Sequence, residues 1–106
     1  MGHTNSKELK YLLQEAKKTM LQTEMLSYSV NNVYIKNIIS EKIIPNFINF
    51  ITYLEVSNLN KKEIIMYLRI CVSAFNEISE HSHEAMLVSS KFKVLREETV
   101  RALNLI

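Results

Sequence analysis

Apolar residues along this chain recur in groups spaced three and four positions apart, the period of an α-helix, and do not settle into the strict alternation of a half-buried strand. Leu9, Leu12, Leu13, Ala16 and Met20 form the first series, with Lys7, Lys10, Glu15, Lys17 and Lys18 on the other side. The pattern predicts an amphipathic helix opening at Asn5 as N-cap, with Glu8 three residues on completing a reciprocal capping pair. Ser27, Ser29, Asn31 and Asn32 then compete for their own backbone, which puts a loose boundary near residues 28 to 32. A second helix is expected from about Asn32 to Ile44, carrying Val33, Ile35, Ile38, Ile39 and Ile43. It should bend or stop at Pro45, because proline disfavours the helical conformation in the residue before it.

Pro45 suits a first helical position, and Phe47, Ile48, Phe50, Ile51 and Leu54 predict a third helix, apolar around much of its circumference and therefore central. The sharpest punctuation is Leu59-Asn60-Lys61-Lys62-Glu63-Ile64. There Asn60 can cap, Glu63 can reach back to the Asn60 amide, and Leu59 can staple onto Ile64. The helix that starts there presents Ile64, Ile65, Leu68, Cys71, Val72, Phe75 and Ile78 on one broad face. Residues Ser79 to Glu84 are polar, and apolar spacing resumes at Ala85, Val88, Phe92, Leu95 and Leu103. Either the helix breaks near Ser82 or it runs on with a polar stretch outward. No repeat or linker divides the chain, so residues 6–106 are expected to form a single helical domain, with 1–5 a disordered N-terminus or an expression remnant. The fold class is all-α, a compact bundle of four or five helices.

Composition sharpens this. The chain has 106 residues with one Gly, one Pro and no Asp, which leaves neither the turn chemistry of hairpin-rich β folds nor the glycines of phosphate-cradling loops. A net charge of +2 is too weak to imply nucleic acid. The single cysteine, Cys71, lies on an apolar face and reads as core, so nothing calls for an oxidising compartment, and a cytoplasmic location is expected. The stretch from Ile43 to Val56 is interrupted by Pro45, Asn46, Asn49 and Thr52, so membrane insertion is not expected. Tyr11, Tyr28, Tyr34, Tyr53 and Tyr67 are scattered over the helices, which fits half-buried rings better than a platform for stacking bases.

The one dense cluster of metal-type or acid-base side chains is Glu77, Glu80, His81, His83 and Glu84. On a continuous helix Glu77, His81 and Glu84 would share a face, and Glu80 with His83 makes the Glu-x-x-His spacing of di-iron bundles. Such a centre needs two of these motifs and two more helix-borne glutamates, whereas this chain has one Glu-x-x-His, with Glu15, Glu24 and Glu41 among scattered partners, so a solvated helix end is the better expectation. His83-Glu84 is also the pairing a helical phosphoacceptor uses, an acid assisting an imidazole, but the match is only two residues long. Lys91, Lys93, Arg96 and Arg101 make the last helix basic, yet Glu97 and Glu98 interrupt them and the turn glycine of a helix-turn-helix is missing.

Aliphatic bulk is what the chain has in surplus. Between Val33 and Val56 only Lys36, Glu41, Lys42 and Glu55 are charged, which suggests more apolar surface than one small bundle covers. The expectation is a non-enzymatic regulatory or adaptor protein that binds another protein, needs no cofactor, and forms a homodimer through Ile39, Phe47 and Ile51. The alternatives are a metal-binding or His-phosphoacceptor bundle centred on His81 and His83, and a small DNA-binding regulator using the basic C-terminal helix.

Overall fold

The computed structural model describes residues 6–56 and 59–105. It contains α1 (Ser6–Ser29), α2 (Val33–Ile38), a π-helical turn (Ile39–Ile43), α3 (Ile44–Glu55), α4 (Lys61–Ile78) and α5 (His83–Ala102). Because α2, the π turn and α3 run on without interruption, these make four helical rods. Of the described residues 87% are helical and none lies in a strand. The rods run up, down, up and down in a ring, with α1 packed on α3 and α5, and α4 packed on α3 and α5. The bundle is slender, 47 × 20 × 20 Å.

Local chemistry sets the helix ends. Asn32, Asn60 and Ser82 have extended backbones, and each accepts through its side chain the amide three residues on, from Ile35 (3.2 Å), Glu63 (3.2 Å) and Ala85 (3.1 Å). The Asn60 cap is the one the sequence predicts for its fourth helix, and Asn32 stands where the second helix is expected to begin. The third settles the choice left open between Ser79 and Glu84: the chain breaks there, and Ser82 starts a separate helix. Asn5, expected to cap α1, lies outside the described residues, as does all of 1–5. At the far end Asn104 takes a left-handed φ of 56°, the Leu105 amide donates to the Val100 carbonyl (2.8 Å), and the Asn104 amide donates to that of Arg101 (3.3 Å). This is a Schellman stop in which asparagine fills the place usually given to glycine. It folds Leu105 back into the core.

Pro45 does not end its helix. Its ring would collide with the carbonyl four residues earlier in an α-helix, and it has no amide to donate there. The chain widens by one residue just before it: the Ile44 amide donates to Ile39, five residues back, and the π turn lets the rod pass through the proline. The Asn46 side-chain amide bonds the Lys42 carbonyl at 2.6 Å across this distorted stretch.

All four phenylalanines are wholly buried at the centre. Phe92 is the hub, 5.0 Å from Phe47 in an edge-on arrangement, 4.9 Å from Phe75, and 6.5 Å from Phe50. Buried hydroxyls are satisfied, Thr23 and Thr99 by carbonyls one turn back and Ser89 by the Phe75 carbonyl, which ties α5 to α4 at 3.1 Å.

Candidate interaction surface

The helix break separates the cluster of metal-type and acid-base side chains from Glu77 to Glu84. Glu77 stays on α4, where its carboxylate meets Lys42 Nζ at 3.5 Å and accepts from the Tyr34 hydroxyl at 3.4 Å. Glu80 and His81 fall in the connection, and His83 is the first residue of α5. His81 and Glu84 line a shallow depression with Ser29, Val30, Asn31 and Asn32 at one end of the bundle. The shared face of Glu77, His81 and Glu84 existed only if the helix continued, and it does not. Among the described residues no three histidine, cysteine or glutamate side chains come together as a metal would require.

Ile39 and Phe47 are wholly buried and Ile51 is 7% exposed. They are packed by the chain's own helices, so a surface contact through them is corrected here: another molecule could reach them only if the bundle opened. The reason is visible on α3, where Phe47, Phe50, Ile51 and Leu54 face inward while Ile48, Asn49, Thr52 and Glu55 face out. The helix is amphipathic rather than apolar all round, and four rods enclose most of the aliphatic surplus, leaving Val33, Ile48 and Val56 exposed.

Cys71 is buried, its thiol directed at the Ile43 carbonyl at 3.9 Å, and burial pushes its pKa up to about 12. A thiol held protonated in the core is not a nucleophile. The basic residues of α5 are dispersed around the helix: Lys91 lines a depression against α1, while Arg96 lines one against α4 with Arg69.

The face formed by α1 and α5 is different in kind. Two adjoining depressions of about 340 and 360 Å³ run along the seam between these helices. Gln22, Leu87 and Lys91 belong to both. The helices are antiparallel, and the Tyr11 hydroxyl meets Glu98 at 3.4 Å, so successive turns bring Glu15 level with Val94, Lys18 with Lys91, Gln22 with Leu87, and Met25 with Glu84. Leu87 is 46% exposed, Val94 55% and Met25 62%, and Leu21 and Tyr28 extend the apolar surface on the outer side of α1. The carboxylate of Glu98, followed by burial and Glu15, raises the Tyr11 phenol above its ordinary value. Gln22 Oε1 is buried in the wall between the two depressions and finds no hydrogen-bond partner among the described residues, a deficit that generally costs about 1–3 kcal/mol.

Sequence reading passed over these residues because a helix is assigned its buried stripe first, and Leu21, Tyr28, Leu87 and Val94 fall outside that stripe. A signal was present. Leu21 and Tyr28 are seven residues apart, as are Leu87 and Val94, which is two helical turns and keeps each pair on one side of its helix.

No protein family, curated protein or solved structure matches the chain. No helix among the described residues is long and apolar enough to cross a membrane. Function is therefore argued from this surface alone.

Proposed function

We propose that the chain is a non-enzymatic regulatory or adaptor protein whose task is to bind another protein, and that the α1/α5 face is where it does so. The observation that carries the reading is the exposed apolar seam of Tyr11, Met25, Leu87 and Val94, bordered by Glu15, Lys18, Glu84, Lys91 and Glu98. An apolar strip with charges along its rim is the usual anatomy of a protein-binding surface: the strip supplies desolvation, and the rim sets orientation. The depressions are long, shallow and open to solvent, which suits helix-sized side chains better than a small molecule.

The test compares capture of binding partners by the native chain, by Val94→Glu, and by Ile70→Glu on α4 as a control away from the seam. The expected result is a partner retained by the native chain and the control and lost by Val94→Glu. Equal capture by all three would remove the function from this face.

A further inference from the structure

We infer that the occupant of the α1/α5 face is a second copy of this chain, laid across it antiparallel about a two-fold axis that passes beside Leu87 and Gln22. This rests on the reading of the face as a protein-binding surface and names its partner. The order of charges along the seam selects this arrangement. Taken from one end, the levels are acidic at Glu98 and Glu15, basic at Lys18 and Lys91, uncharged at Gln22 and Leu87, and acidic again at Glu84.

A two-fold axis can lie in such an interface in two ways. An axis parallel to the helices keeps every level opposite itself, placing Lys18 and Lys91 of one copy against Lys91 and Lys18 of the other, four ammonium groups at one height. Like charges placed this way repel and lower affinity. An axis across the helices reverses the order of levels, and through Leu87 it sets each copy's Lys91 within a turn of the other's Glu84, giving two equivalent ion pairs. The same operation brings Leu87 onto Leu87 and Gln22 beside Gln22. A carboxamide carries both donor and acceptor, so two of them can exchange hydrogen bonds after rotation of the terminal amide. That would meet the requirement of Gln22 Oε1, which the chain alone leaves unmet. Leu87, the Lys91 and Glu84 pair, and Gln22 are thus each complementary to themselves under one operation, as an isologous interface requires.

Size sets the strength of the pair. With the axis beside Gln22, only residues 15–29 of α1 lie opposite their own copies, about 22 Å of a bundle 20 Å across, which is on the order of 450 Å² a side. The total, about 900 Å², lies below the roughly 1,200–2,000 Å² of standard stable interfaces and fits a weak, concentration-dependent dimer.

The experiment is light scattering coupled to size exclusion on the purified full chain over a dilution series, with circular dichroism confirming that each variant is folded. At the concentrated end of the series the native chain should run at twice its 12.4 kDa mass, falling toward monomer on dilution. Leu87→Glu, at an exposed position that the fold does not need, should run as a monomer. Lys91→Glu and Glu84→Lys should each raise the dimer dissociation constant by about tenfold or more, and the double exchange Lys91→Glu/Glu84→Lys should restore it to within about threefold of native. A native chain that stays monomeric at every concentration overturns the inference, even if partner capture still depends on Val94, in which case the binding reading stands and only self-pairing falls. A dimer indifferent to Leu87→Glu, or a double exchange no better than the single ones, overturns the interface as drawn.

Discussion

Phe92 offers the strictest check on the packing. Its ring is wholly excluded from solvent and touches three other phenylalanines from two neighbouring helices. In Phe92→Ala the lost transfer free energy of the ring is about 2–3 kcal/mol. The cavity left behind, on the order of 80 Å³ after partial relaxation, adds about 2 kcal/mol at roughly 24 cal/mol per Å³. The expected loss is therefore about 4–5 kcal/mol, at the upper end of what such replacements cost. A domain of this size has about 5–15 kcal/mol in total, so the variant sits at the margin of folding. Phe92→Leu, expected to cost about 1.5 kcal/mol, keeps the comparison measurable. Urea denaturation followed by far-ultraviolet circular dichroism supplies both values, with Met66→Ala on the exposed side of α4, away from the seam, as a surface control expected within about 0.5 kcal/mol of native. A loss below about 1.5 kcal/mol for Phe92→Ala would refute the claim that this ring is the hub of the core.

Asn60→Ala and Ser82→Ala should each cost about 1 kcal/mol in the same assay, because each leaves a first-turn amide without its side-chain acceptor; losses below about 0.2 kcal/mol would mean the helices do not start there. Cys71 should resist thiol reagents in the folded protein and be labelled at a rate that tracks unfolding. Its folded pKa of about 12 lies above the ordinary 9.0, so the folded chain holds the proton longer than the unfolded one. The stability from this group is full below about pH 9 and lost as pH rises toward 12. Rapid labelling of native protein would contradict the burial. A chelator should leave the thermal midpoint unchanged, since a metal bound only by the native state would raise it; a drop in the midpoint would restore a metal role to the residues around His81.

Helix content and most helix starts were legible in the sequence because both depend on neighbours within one turn. The 3.6 period predicted the buried faces of α4 and α5 and, on α1, Leu12 and Ala16 but not Thr19, Thr23 and Leu26, and Asn32 and Asn60 cap where a short polar side chain precedes an apolar run. At Pro45 the sequence allows either a bend or a stop: a local rule forbids the regular α-helix there, but only the packing of Ile39, Ile43 and Phe47 into one core makes a π turn cheaper than a break. The polar residues from Ser79 to Glu84 allowed either a continuous helix or a turn, and the return of α5 onto α1 and α4 decided for the turn. With it went the geometry of the histidine cluster. The same holds for the surface. Ile39, Phe47 and Ile51 are apolar enough to belong to an interface, and nothing local distinguishes an aliphatic side chain that meets its own chain from one that meets another. Which faces are covered depends on how four rods close around one another, a long-range property. That closure buried most of the aliphatic bulk of α2 and α3 and left Leu87, Val94 and Met25 in the seam between the first helix and the last.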